Sequence, residues 1–255
     1  MASALIGHTG FVGSNLAHER KFDAYFNSKN IEMIAGRSFD LVVCSGAPAE
    51  KWKANQDPEA DLRVIDRLWS SLRQVVIGKL VLISTVDVYA RPVDVDEDVD
   101  PGHERPTAYG RHRHELERRA ADQFDTLIVR LPGLFGEGLK KNVVYDFLHG
   151  NALDKIDARG VFQFYWVGNL WRDIEIALEA GLSVVNLATE PTSVGEVARE
   201  GFGFEFSNTP AVTPARYDFR TKHDRVFGGS GGYISTRKQV LSELRAFVAS
   251  QEVTE

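Results

Sequence analysis

The chain holds one cysteine, Cys44, and two methionines in 255 residues. A single thiol excludes an intrachain disulfide, so the fold rests on packing and needs no oxidising compartment. No stretch approaches the roughly 20 apolar residues that cross a bilayer. The apolar opening, Ala2 to Gly13, has no basic region before it and is broken by glycine and polar residues. No signal peptide is expected there, and the expected location is the cytoplasm. An excess of cations is also missing: 36 acidic and 30 basic residues leave a net charge of −6, with no Lys/Arg run. That argues against a nucleic-acid surface. The histidines do not suggest a metal centre, because His112 and His114 have no carboxylate or thiolate at ligand spacing. No internal repeat or low-complexity tract stands out.

What is present is alternation. Short apolar runs, Ser3 to Ile6, Leu41 to Cys44, Leu80 to Ile83, Thr126 to Leu131 and Val184 to Leu187, read as strands. Ala24 to Phe26 and Ile31 to Ile34 are weaker strand candidates. Helices are expected from Ser14 through His18, from Asp57-Pro58-Glu59 through Leu72, and over Ala108 to Gln123, Leu170 to Glu179, Ser193 to Arg199 and Thr236 to Ser250. Strands alternating with helices imply a parallel sheet covered on both faces, with ligands at the carboxyl ends of the strands. The unusual residues all follow strands: Gly7 to Gly13, Ser45 to Pro48, Ser84 to Tyr89 and Pro132 to Gly136.

Gly7, Gly10 and Gly13 are spaced G-x-x-G-x-x-G between the first strand and the first helix. Glycines there allow a tight turn and let backbone N–H groups approach a pyrophosphate at a helix N-terminus. Gly7, Thr9, Gly10, Phe11, Val12 and Gly13 are therefore candidate dinucleotide contacts. An acid after the second strand would bind the adenosine ribose. The sequence instead has Asn27, Ser28 and Lys29, which could receive a 2′-phosphate and tilt the cofactor from NAD toward NADP. An equal alternative makes Lys29 a solvated loop residue.

Two further segments carry chemistry. Ser84-Thr85-Val86-Asp87-Val88-Tyr89 follows a buried strand, and Pro106-Thr107-Ala108-Tyr109-Gly110 opens a helix. With the glycine loop, with Arg130-Leu131-Pro132-Gly133-Leu134-Phe135-Gly136, and with the segment from Asn186 to Val194, these occur in an order that resembles the extended short-chain dehydrogenase/reductase family. That family includes sugar-nucleotide epimerases, dehydratases and reductases. The resemblance covers most of the chain. It implies an α/β, Rossmann-type doubly wound parallel sheet with a small C-terminal substrate lobe. Residues 1–135 would form the dinucleotide domain, with a returning strand near 184–188, and 136–255 would form mainly the discontinuous substrate lobe.

The resemblance makes Tyr109 the proton donor and acceptor, Thr85 the group that orients the reacting oxygen, and Arg113 the stand-in for a lysine that the family carries four residues after its tyrosine. A guanidinium is planar and bulkier than an ammonium, so the exchange is not conservative. Ser45, Gly46, Ala47, Ser84, Leu131, Pro132 and Gly133 join the cofactor contacts. Dehydratases of the family carry Thr-Asp-Glu where this chain has Thr85-Val86-Asp87, so dehydration is disfavoured, while epimerisation and carbonyl reduction remain open. Asp87, Lys140, Lys141, Asn142 and Arg216 are the substrate candidates, with Tyr217 beside them. The expected partner is a small-molecule sugar nucleotide, with no nucleic acid, no membrane and a possible homodimer.

Two other readings stay open. One is a non-catalytic dinucleotide-binding sensor or scaffold, and the other a reductase of a small non-sugar carbonyl. Phe162 to Trp166 could stack on a base, though an aromatic strand is more often core. Cys44 reads as packing, and Gly228 to Gly232 as a flexible connector. The chain is shorter than the family's usual length, and the Gly13 to Asp40 segment is short for a strand–helix–strand run. A reduced adenosine side is expected.

Overall fold

The computed structural model describes residues 2–252. Along the chain run β1 (Ser3–Ile6), α1 (Phe11–Glu19), β2 (Ala24–Phe26), β3 (Ser38–Cys44), α2 (Lys51–Gln56), α3 (Pro58–Leu72), β4 (Val76–Thr85), α4 (Ala108–Gln123), β5 (Thr126–Leu131), β6 (Gly133–Phe135), α5 (Val143–His149), β7 (Val161–Phe162), β8 (Phe164–Trp166), α6 (Leu170–Glu179), β9 (Val184–Asn186), β10 (Thr192–Ser193), α7 (Val194–Glu196) and α8 (Arg237–Glu252). Two compact units share these elements. One takes the chain up to Arg91, Glu97–Leu131 and Gly168–Asn186, and the other takes Pro92–Asp96, Pro132–Val167 and the chain from Leu187 on.

The first unit is built on six strands in the order β2-β1-β3-β4-β5-β9, all parallel. The continuous apolar runs make this possible: β1 and β5 are buried along their whole length, as strands covered on both faces must be. The register aligns Ile6 with Cys44 and Cys44 with Leu82. β4 runs three residues past that line to Thr85, which pairs with Leu131. The strand order turns back between β1 and β3, so their carboxyl ends form the topological switch point. Ala4, Ile6, Val42, Cys44, Leu80 and Leu82 meet Ile65, Leu68 and Leu72 of α3, and Leu116 and Ala120 of α4, in one apolar core.

Helix α3 starts where proline and acids place it. Asp57 caps it by accepting the Ala60 N–H at 2.9 Å, and Pro58 follows. Asp61, Ile65, Leu68 and Leu72 then form one buried stripe at helical spacing. Ile31–Ile34, predicted as a strand, winds into a 3₁₀ turn. Ile31 and Ile34, three apart, are both buried while Met33 is 71% exposed, which suits a turn of helix.

In the second unit, α8 packs Val240, Leu241, Leu244, Phe247 and Val248 against Phe135, Val144, Phe164 and Val197. Phe164 and Tyr165 of the aromatic segment are buried there. The helix expected over Ser193 to Arg199 begins with a capping box between Ser193 and Glu196. It then widens into a π-helix over Val197–Phe202, where a Cβ on Gly201 would lie 2.8 Å from Leu244 Cδ2. Gly228 to Gly232, expected to be a flexible connector, is a set of hydrogen-bonded turns. Gly232 donates to the Asp224 carboxylate at 2.8 Å, and its carbonyl accepts from Thr221 at 2.9 Å. Among the described residues no helix is long and apolar enough to cross a membrane.

Candidate active site

The glycine loop lies at the switch point. Gly7 has φ +88°, which favours glycine, and donates to Phe26 O at 2.7 Å. Backbone crowding fixes two of the three glycines. A Cβ on Gly7 would lie 2.5 Å from Ser45 O, and one on Gly13 would lie 2.1 Å from Gly7 O. Gly10 differs, because its Cβ position meets only Gly7 O, at 3.4 Å. Gly10 is also the N-cap of α1 and offers no side chain to the first helical N–H groups. Phe11, Val12 and Gly13 therefore open a helix beside an unfilled side of the loop, with Thr9 exposed before them.

Ser45, Gly46 and Ala47 close the other wall. Ser45 donates both its N–H and its hydroxyl to Ile6 O, each at 2.9 Å. A Cβ on Gly46 would lie 3.0 Å from Ile6 Cγ2, and Ala47 packs on the core. After β2, Asn27 accepts from Lys29 N at 2.9 Å and donates its own N–H to Asn30 Oδ1 at 2.7 Å. This shapes a tight turn that leaves Ser28 and Lys29 exposed. The first acid beyond it, Glu32, is engaged by Arg67.

Thr85 ends β4 and caps the 3₁₀ turn Val86–Val88, accepting Asp87 N–H at 3.2 Å. Helix α4 abuts that turn so closely that a Cβ on Gly110 would fall 2.0 Å from Asp87 O. The neighbouring Tyr109 is 8% exposed. Its N–H donates to Asn55 Oδ1 of α2 at 3.0 Å. Burial pushes the Tyr109 phenol above its ordinary value. The Arg113 charge opposes that rise, Asp87 adds to it, and a Thr85 hydrogen bond and Lys51 pull the phenol down.

Arg113, expected to stand in for a lysine, spends its hydrogen bonds within the chain. Its guanidinium is 3% exposed and pairs with Asp61 through both terminal nitrogens, at 2.5 and 2.9 Å. It also donates to Pro48 O and to Tyr109 O. A flat fork matches a carboxylate in a way an ammonium cannot. His112 meets the same carboxylate at 2.7 Å. Burial pushes the Asp61 carboxyl up, but Arg113 and His112 outweigh it and hold it below the usual carboxylate range. The Arg113 carbon lies 4.0 Å from the Tyr109 ring centroid, so its charge faces the ring while its hydrogen bonds go to the chain.

Ser84, also expected on the cofactor side, is turned inward. Its hydroxyl donates to buried Glu117. Glu117 accepts Arg130 Nη2 at 2.7 Å, and Arg130 Nη1 donates to Tyr89 OH at 2.7 Å. Tyr109, Arg113 and Glu117, each four residues apart, thus form a buried polar stripe on α4. Leu131 closes β5 and is buried.

The other candidates belong to the second unit. Pro132 precedes β6, and Gly133 pairs there with Phe164. Lys140 and Lys141 are exposed. Asn142, expected to face a diphosphate, caps α5 instead. Its amide donates to Leu134 O at 2.7 Å, and its oxygen accepts from Val144 and Tyr145 N–H. Arg216 lies 3.7 Å from Asp218, and Tyr217 stacks on Phe162.

Sequence reasoning missed Asn55, Lys51, Asp61 and Glu117. Asp61 and Glu117 had a legible signal, since each is an acid at an interior position of a helical stripe. Lys51 had none, because α2 itself was not anticipated.

No protein-family model matches the chain, and no curated protein sequence does. Solved structures do. A UDP-N-acetylglucosamine 4-epimerase from Methanobrevibacter ruminantium, in complex with UDP-N-acetylmuramic acid, superposes with a TM-score of 0.76 at 14% identity, over 100% of this chain and 99% of that one. A UDP-glucuronic acid 4-epimerase from Bacillus cereus, solved with a fluorinated UDP-sugar and NAD, gives 0.75 at 15% over the whole of both chains. A dTDP-4-dehydrorhamnose reductase from Bacillus anthracis, in complex with NADP, gives 0.73 at 16% over 98% and 99%. The chain therefore has the Rossmann-type α/β fold of these sugar-nucleotide epimerases and reductases.

Proposed function

We propose that the chain is a nicotinamide-dinucleotide-dependent enzyme acting on a sugar nucleotide. The observation that carries this reading is the placement of Tyr109 and Thr85 in the same unit as an open glycine turn at the switch point of a parallel sheet. The residues fit the cofactor. Gly10 leaves an unfilled side at the N-terminus of α1, where backbone amides and the helix dipole favour a pyrophosphate. Ser28 and Lys29 would meet the adenosine ribose. Glu32, the first acid beyond that turn, is engaged by Arg67, and Lys29 is exposed there, which favours NADP over NAD. The bound nicotinamide supplies a hydride donor or acceptor. The solved structures of this fold that hold NAD or NADP support the assignment.

Tyr109 gives a proton to the reacting oxygen or takes one from it, and Thr85 holds that oxygen by a hydrogen bond. Burial pushes the Tyr109 phenol up, and the Arg113 charge opposes that rise. Lys140, Lys141 and Arg216 are the cations proposed for the nucleotide phosphates. Asn142 is left out because its amide is used in capping.

A second reading, a dinucleotide-binding protein without turnover, draws on Arg113 being committed to Asp61. One experiment separates the two. Thermal shift with NADH and NADPH reports binding, and loss of nicotinamide absorbance with UDP-, GDP- and dTDP-linked keto-sugars reports reduction. The enzyme reading expects Tyr109→Phe to keep the thermal shift and lose turnover by 10²-fold or more, on the order of one acid–base group. Equal turnover in Tyr109→Phe would contradict it.

A further inference from the structure

The first unit has a second opening, away from the glycine loop. A cavity of about 430 Å³ lies where α4, β5 and the edge strand β9 meet. The glycine loop, Thr85 and Tyr109 take no part in its wall. Its volume falls in the range of small-molecule sites, roughly 300–1,000 Å³. One side of the wall is apolar. Ala121 comes from α4, Phe124 from just after it, Ile128 from β5 and Val184 from β9. Such a surface holds a ring or a branched hydrocarbon out of water.

The charged side of the wall is unevenly matched. Glu117 and Asp125 line the cavity, and each already has a cation. Glu117 accepts from Arg130 Nη2 at 2.7 Å, and Asp125 accepts from Lys79 Nζ at 2.7 Å. Arg118 also lines the cavity and is held loosely. Its side chain is 65% exposed and reaches Glu115 at 3.5 Å, while Arg119 holds the same Glu115 at 3.1 Å. A charge-assisted bond is about 2.7–2.9 Å long, so the Arg118 fork keeps donors for another acceptor. His114 stands beside it, 3.9 Å from Asp100, which is beyond hydrogen-bond distance.

We infer that this cavity binds a small organic anion, an aromatic or branched hydrocarbon body bearing one carboxylate, with Arg118 as its counter-charge. The body lies against Phe124, Ile128 and Val184. The carboxylate meets the guanidinium, whose planar fork matches it bidentately. A cationic ligand would face Arg118 and find both acids of the wall occupied. An uncharged ligand would leave the guanidinium unused. The site is separate from the one proposed for the dinucleotide and the sugar nucleotide, and neither reading depends on the other.

The test follows the Ile128 and Val184 methyl groups of the full chain by ¹³C NMR during titration with 1-naphthoate, with 1-naphthylmethanol as the uncharged control. Saturable shifts of both residues with the acid are expected. Binding is expected to weaken by about tenfold or more with the alcohol and in Arg118→Gln, the scale of one hydrogen bond to a charged group. Arg118 is exposed, so its substitution leaves the fold in place. Ala121, also exposed, gives an independent variant: Ala121→Trp fills the opening and is expected to abolish the shifts. Methyl groups unmoved by millimolar naphthoate would overturn the inference. So would equal affinity for acid and alcohol, or binding unchanged in Arg118→Gln or Ala121→Trp. The titration uses neither cofactor nor sugar nucleotide, so its failure would leave the proposed function standing.

Discussion

Arg113 shows how a charged side chain is committed to the fold. Four residues after Tyr109, a guanidinium finds Asp61 on α3 and the Pro48 carbonyl, and the buried Asp61–His112–Arg113 cluster ties α3 to α4. A lysine at that position would offer one nitrogen where two terminal nitrogens are used. Arg113→Lys is therefore expected to lower stability by about 2 kcal/mol, the scale of hydrogen bonds to charged groups left unmade, without a compensating gain in turnover. Denaturant unfolding checks the first part and the reductase assay the second. A rise in activity with unchanged stability would mean that Asp61 is not the group that holds Arg113.

At the level of elements, the glycine loop separates folding from binding. A methyl at Gly13 would collide with the Gly7 carbonyl, whereas one at Gly10 has room. Gly13→Ala is expected to cost about 3 kcal/mol or more, as overpacking against backbone does. Gly10→Ala is expected to cost less than about 1 kcal/mol at an N-cap and to weaken dinucleotide binding, because the methyl occupies the open side. Melting temperatures with and without NADPH check both.

The same scale shows what the sequence made legible. Helices Ala108–Gln123 and Leu170–Glu179 and strand Thr126–Leu131 were readable to the residue, because caps, prolines and apolar runs are local signals. Ile31–Ile34 was misread because four residues fit either period, and long-range packing chose helix. The helix expected over Ser193 to Arg199 is present, but its widening from Val197 on, where Gly201 packs closely on Leu244, was not legible. At the proposed site, Thr85 and Tyr109 were put forward from the resemblance of their two segments, and the structure places both in one unit. The partners Asn55, Lys51 and Asp61 arrive from other elements, and no local pattern announces which side chain a fold brings opposite another. Arg113 and Asn142 were assigned to ligands because their bonds within the chain are set by tertiary structure.

For the molecule as a whole, apolar cores supply the burial and several carboxylates are matched to donors. Asp61 is held below the usual range by Arg113 and His112 against burial, Asp100 by the Gly102 N–H, and Glu196 by Ser193 against burial. A carboxyl lowered by folding stabilises above its unfolded value, about 4. That contribution disappears as pH falls through the folded value. Stability in urea is therefore expected to be level from neutral pH down to about 5 and to fall steeply below 4, with Asp61→Asn flattening the acid limb. An acid limb unchanged by Asp61→Asn would remove Asp61 from that role.

A dinucleotide seated at the loop from Gly7 to Gly13 is the centre of the proposed function. Calorimetric titration with NADPH and NADH tests it most directly. Saturable binding of at least one of them at one site per chain, tighter for NADPH and weakened in Gly10→Ala, is the expected result. Absence of binding to the folded protein by both at millimolar concentration would contradict the account.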